Sequence, residues 1–323
     1  MYLDLNIYDH AVKRAWVGQL QSVLIAERVI TYGSGELLIE AMRTKDNRLR
    51  RRLVSTILRV VQHRLPPVGH RQAQQVLAEI RRCHPDWLTA RPDRKLETSA
   101  LDRSKSLWRR LERDPGYLPW GMVANAGLLH GALGSGRDGQ KARRALVAKH
   151  IEPDVLDLLG DAKAHLEQSV AGLTGAERHW RVVGGALWWD ALLGDPQLAD
   201  MKTWIGGFVR PIDQLSRSLW MAFWCNEVAA AAVPVHVAEL LAEYHQTDRG
   251  VGLQTSNALD VLHVPYAFGL DLVITADKGF AKVLARVRSA LAEPTALVQT
   301  FDSTTSTPDA DLRRLFSSMR QAR

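Results

Sequence analysis

Two short apolar runs, one at each end of the chain, stop at a carboxylate: Tyr2-Leu3-Asp4-Leu5-Asn6 near the start, and Val273-Ile274-Thr275-Ala276-Asp277 more than 250 residues later. A buried parallel strand reads as such a run, and the residues just past its end stand over the rim of the sheet. If both runs enter one sheet, carboxylates from the two ends of the chain meet at one rim. An oxygen-rich pocket of that kind suits a hard divalent cation.

The rest of the chain divides by pattern. Residues 2–8 read as a strand, 10–26 as a helix, Val29–Tyr32 as a second strand and Gly35–Arg43 as the start of a second helix. From about 45 to 245 the periodicity predicts helices only, over 46–64, 70–83, 97–113, 120–133, 139–149, 154–171, 175–193, 197–206, 211–231 and 235–246, with no strand signal. Pro and Gly punctuate them, as at Pro66-Pro67 and Asp195-Pro196. The strand-and-helix alternation resumes with a helix at 256–268, a strand at 271–275, a helix at 278–291, a strand at 296–301 and a last helix from 308. The simplest organisation is one α/β domain built from 1–44 and 245–323, interrupted by an all-helical insertion over 45–244.

Charge separates the same parts. Between 45 and 150 there are 23 Lys/Arg against 9 Asp/Glu, so a chain of net charge +7 consists of a basic block and an acidic remainder. Arg48, Arg50, Arg51 and Arg52, continued by Arg59 and Arg64, form a stripe suited to a phosphate backbone, or else a solvated helix face. Nine of the ten tryptophans lie in the insertion, where they either stack on unpaired bases or anchor a core. Cys83 and Cys225 are too few for a disulfide framework or a zinc site. No apolar run approaches the roughly 20 residues of a membrane crossing, and the chain starts on a strand-like segment rather than a signal peptide. The expected setting is therefore cytoplasmic, without a membrane partner.

On a strand through 2–8, Asp4 and Asn6 share a face. Glu36 opens a helix in Gly35-Glu36-Leu37-Leu38, and Asp260 and His263 are one helical turn apart in Asn257-Ala258-Leu259-Asp260-Val261-Leu262-His263. The order of a strand with Asp-x-Asn, a helix with Glu-Leu-Leu, a helix with Asn-x-x-Asp-x-x-His and a strand ending Thr-x-Asp-Lys-x-Phe resembles the PIN domain, a family of metal-dependent nucleases related to flap endonucleases. The resemblance covers about a third of the chain. It implies a three-layer α/β/α fold around a mainly parallel sheet, and a quartet of Asp4, Glu36, Asp260 and Asp277 around Mg²⁺ or Mn²⁺. Asn6 and Thr275 would support the quartet, His263 would touch a phosphate or pack within its helix, and Lys278 would offset phosphate charge. Glu40 competes with Glu36 for the second position, and the long insertion departs from a minimal PIN domain.

The chemistry fits the residue types in its own right. Hydrolysis of a phosphodiester needs an activated water and a stabilised leaving oxygen, which one or two carboxylate-held cations supply. Four converging carboxylates without a cation would raise at least one pKa. The expected activity is a nuclease acting on RNA rather than DNA, leaving a 5′ phosphate and a 3′ hydroxyl. A homodimer and an inhibitory protein partner belong to the same resemblance. Two alternatives stand beside it: a nucleic-acid-binding or scaffold protein that kept the fold and lost the chemistry, and a metal-independent ribonuclease similar to the HEPN group using Arg144 and His150. Gly134-Ser135-Gly136-Arg137-Asp138-Gly139 spells a dinucleotide fingerprint, but no strand precedes it, and it reads as a turn.

Overall fold

The computed structural model describes residues 1–119, 155–173, 175–195, 198–246, 261, 263–291, 295–304 and 307–321. Its centre is a five-stranded parallel sheet in the order β3-β2-β1-β4-β5, formed by β1 (Tyr2–Leu3), β2 (Tyr32–Gly33), β3 (His63–Arg64), β4 (Leu272–Thr275) and β5 (Leu297–Thr300). β1 is central and pairs Tyr2 with Val273 and Leu3 with Ile274, so the two ends of the chain are neighbouring strands.

Alternation along these strands divides the core in two. Leu3, Leu272 and Ile274 face α1 (Leu5–Lys13), α2 (Val17–Ala26), α3 (Gly35–Met42), α4 (Asn47–Val60) and the final helix, through Ile7, Leu20, Leu38, Ile57 and Phe316. Tyr2 and Val273 face the other way, into a larger core with α5 (Val68–Cys83) and most of the later helices. α6 (Lys95–Arg113) contributes to both, with Trp108 on one side and Ala100 on the other.

Three expectations need correcting. The first strand ends at Leu3, not at residue 8, because Asp4 takes an extended conformation and its carboxylate accepts from the Leu5 amide, starting α1. Leu3, Leu5 and Ile7 fit a two-residue period, but α1 buries Ile7, Tyr8, Ala11 and Val12, which is a helical face. Asn6 therefore stands in the first helical turn and not beside Asp4 on a strand. The helix expected over 10–26 is two helices, separated where Ala15 adopts φ 59°. The segment 45–245 does contain a strand: α4 ends at Val60, and His63–Arg64 pairs with β2 at the sheet edge. Gly33 permits that close approach, since a Cβ there would lie 2.6 Å from Val61 Cγ2.

The other regular elements among the described residues of 45–245 are helical and include α7 (Lys163–Ala171), α8 (Gly175–Leu193), α9 (Ala199–Ile205), α10 (Arg217–Ala222) and α11 (Pro234–Gln246). α12 (Lys278–Ala290) and α13 (Pro308–Gln321) complete the α/β part. The helices expected at 120–133 and 139–149, the Gly134–Gly139 turn and the Arg144/His150 pair lie outside the described residues. Every described tryptophan of the insertion is buried, from Trp188, Trp220 and Trp224 at no exposure to Trp87 at 7%. They are core anchors, not stacking platforms. Among the described residues, no helix is long and apolar enough to cross a membrane.

Candidate functional site

At the rim beyond β1 and β4 one hydroxyl links the Asp4 carboxylate to the Asp277 backbone amide. The Asp4 amide donates to the Ile274 carbonyl at 3.0 Å, which fixes Asp4 level with Thr275. Thr275, fully buried, donates to Asp4 Oδ2 at 2.7 Å and accepts from the Asp277 amide at 2.9 Å and from Asn6 Nδ2 at 3.0 Å. Asn6 Nδ2 also reaches Asp4 Oδ2 at 2.5 Å, and its Oδ1 accepts from the Ala276 amide. Asn6 and Thr275 thus both hydrogen-bond Asp4, Asn6 from the first turn of α1.

The local sequence explains both carboxylates. Asp4 caps α1; Asp277 caps α12, its Oδ1 accepting from the Gly279 and Phe280 amides at 2.6 and 3.0 Å. Each acid stands at a helix N-terminus, whose partial positive charge favours an anion. Lys278 is exposed at the first position of α12. Asp4 is only 5% exposed, and burial raises its pKa above the usual carboxylate value; His263 opposes that shift and Glu40 adds to it.

His263, 3% exposed, is held inside the protein. Its Nδ1 lies 2.7 Å from the Tyr2 hydroxyl, which also contacts Ser34 Oγ, and its Nε2 lies 3.1 Å from Glu40 Oε2. Of the two acids on α3, Glu40 is the one that contacts His263, and both groups act electrostatically on Asp4. Glu36 accepts a hydrogen bond from the Tyr266 hydroxyl and looks the other way. Tyr2 and Tyr266, stacked with centroids 5.8 Å apart, stand between the two acids' surroundings. Asp260 lies outside the described residues.

Among the described residues, no three His, Cys, Asp or Glu groups are placed to hold a metal ion. The donors at the rim are nonetheless the hard oxygens that Mg²⁺ and Mn²⁺ take, and the buried Asp4 is a carboxylate whose ionised form a cation would favour. In residue type the rim suits a divalent ion, with Asp4 and Asp277 as the candidate ligands.

The arginine stripe is partly structural. On α4, Arg50 donates to the Thr44 carbonyl and Asn47 Oδ1, Arg51 lies 3.6 Å from Asp114, and Arg52 donates to the Val12 carbonyl. Arg48 and Arg59 are exposed. Arg64 pairs with Glu112 and lies over Trp108.

Beyond Tyr266, Glu36 opens onto a cleft of about 600 Å³ between α3, α5, α6, α9 and α11. The cleft also presents Glu239, Glu243 and His236, which the residue pattern alone did not single out. Their signal is there in retrospect: positions 236, 239 and 243 recur on one face of a largely apolar helix. Burial pushes Glu239 up to about 7, opposed by the hydrogen bond from Gln72 and reinforced by Glu243 and Glu36.

Compared with models of protein families, with curated proteins and with solved structures, the chain finds no match in any of the three.

Proposed function

We propose that this protein is a PIN-like nuclease dependent on Mg²⁺ or Mn²⁺, hydrolysing phosphodiester bonds in RNA. The observation that carries the reading is the Thr275 hydroxyl, which ties Asp4 to the Asp277 backbone at the carboxyl end of two adjacent parallel strands. That rim is where open α/β sheets bind ligands. Asp4 and Asp277 would hold the cation, joined by Asp260 on the strength of its place in the Asn257-to-His263 motif. Glu40, not Glu36, supplies the carboxylate from α3, since it contacts His263 and acts on Asp4. When bound, the cation supplies Lewis acidity toward the phosphate and lowers the pKa of a water. The chain's own part is to fix the carboxylates: Asn6 and Thr275 orient Asp4, and the amides of α12 orient Asp277. Exposed basic residues such as Arg48 and Lys278 would draw the substrate's phosphates in.

The test is cleavage of labelled single-stranded RNA by the purified chain with Mn²⁺, against Asp277→Asn and Asp4→Asn. Asparagine caps a helix as well as aspartate, so Asp277→Asn keeps the fold while removing the charge. We expect each variant to lose about a hundredfold or more, as when a group acting directly on the reaction is removed. Equal cleavage by the three proteins overturns the assignment.

A further inference from the structure

The cleft beside Glu36 lies apart from the carboxylate rim, and nothing in the nuclease reading uses it. Four carboxylates line it, from Glu36, Asp200, Glu239 and Glu243, together with the cation Arg103, and Glu36 and Glu243 both act on Glu239. Ile39, Met201, Trp204 and Leu240 supply apolar wall. A volume of about 600 Å³ is the size of a small-molecule site.

A second observation is independent of the acids. His236, 2% exposed, lines the cleft with both ring nitrogens buried and neither hydrogen-bonded to the protein. Its ring lies 5.7 Å from that of Trp188 and 5.4 Å from that of Trp224, neither of which lines the cleft. Gly184 leaves room for it, since a Cβ there would sit 2.9 Å from His236 Nε2. Buried polar groups left without partners are costly, and a ligand that bonds to them recovers that cost.

The lining selects the ligand. Carboxylates stand beside apolar side chains in one cleft, which matches a cation carried on an apolar body. We propose that the cleft binds a small organic cation, a primary amine or guanidine on an apolar body, with its charged end between Glu36, Glu239 and Glu243. The apolar body lies against Trp204 and Met201, and His236 lines the same cleft.

The experiment is isothermal titration calorimetry on the full chain at pH 8 with agmatine, spermidine and phenethylamine, and with 2-phenylethanol as a neutral control. We expect saturable one-to-one binding of at least one of the cations. Binding should weaken about tenfold or more in Glu239→Gln and in Glu243→Gln, the effect of removing one charge-assisted hydrogen bond. Because Glu243 is exposed, its variant keeps the fold even if Glu239→Gln does not. Asp277→Asn, which should abolish cleavage, is expected to bind the amine like the wild type, so this site and the nuclease reading fail separately. The proposal is overturned if none of the cations saturates at millimolar concentration, if phenylethanol binds as tightly, if both glutamine variants bind like the wild type, or if Asp277→Asn loses binding.

Discussion

Thr275 has one proton to donate and two lone pairs, and all three are engaged at the rim, by Asp4, Asn6 and the Asp277 amide. Thr275→Ser keeps that pattern, whereas Thr275→Val leaves Asp4 Oδ2 with one donor fewer and the Asp277 amide unpaired. We expect Thr275→Val to unfold about 1–3 kcal/mol more easily, the cost of stranding buried polar groups, and Thr275→Ser to stay within about 1 kcal/mol of wild type by urea denaturation. Cleavage should fall with the first and persist with the second. Glu40 and Glu36 invite the same paired comparison. Because Glu40 contacts His263 and acts on Asp4 while Glu36 bonds Tyr266, Glu40→Gln should lower Mn²⁺-dependent cleavage by about 10- to 100-fold, the range for groups that orient metal ligands. Glu36→Gln should leave cleavage within about twofold, and the reverse result would restore Glu36 to the site. The sequence could not make this choice, since residues 36 and 40 are one turn apart on a single helix face, and only the docking of Tyr266 and His263 separates them.

At the scale of elements, what could be read from sequence was what local chemistry specifies. α3 begins at Gly35 because the Ser34 side chain caps it, and α12 begins at Lys278 because Asp277 does, both close to expectation. β4 was legible as an uninterrupted apolar run, buried throughout. β1 was misread because three apolar residues at alternate positions satisfy a strand pattern over a stretch too short to exclude a helix. β3 was missed because His63 and Arg64 are exposed at a sheet edge and carry no apolar signal; their pairing is dictated by β2. The arginines of α4 show how one sequence motif can serve two purposes. Arg52 holds α1 through the Val12 carbonyl, while Arg48 and Arg59 are exposed. Arg48→Ala with Arg59→Ala should therefore weaken single-stranded RNA binding and reduce the slope of log K against log salt by up to about 1.4, roughly 0.7 for each phosphate no longer neutralised. Arg52→Ala should instead lower the melting temperature. An unchanged salt slope in the double variant would remove α4 from the RNA path.

For the molecule as a whole, the cleft lies between α3 and the later helices α5, α6, α9 and α11, and it contains two groups whose protonation opposes each other. His236 is buried among aromatic rings, which lowers its pKa to about 3 from an ordinary 6.5. As pH falls below 6.5 the unfolded chain takes up a proton that the folded chain refuses, so this group's contribution to stability is lost on acidification from 6.5 toward 3. Glu239 behaves in the opposite sense, its pKa raised by burial from 4.5 to about 7. Between 4.5 and 7 the folded protein keeps a proton that the unfolded chain releases, so its contribution declines as pH rises. Each slope is at most about 1.4 kcal/mol per pH unit, and from 4.5 to 6.5 the two offset each other. Wild-type stability should accordingly be nearly flat across that interval as far as these groups determine it. His236→Gln leaves the Glu239 slope alone, so stability should fall between about pH 5 and 6.5; Glu239→Gln leaves the His236 slope, so stability should rise over the same interval. Urea denaturation of the three proteins at about pH 5 and 6.5 checks this by the sign of each change, whatever fixed cost a substitution carries. An amine bound beside Glu239 favours its ionised form, and saturating ligand should therefore reduce the decline seen in His236→Gln. Three parallel pH profiles would mean that the groups lining the cleft are open to solvent and do not titrate as buried residues.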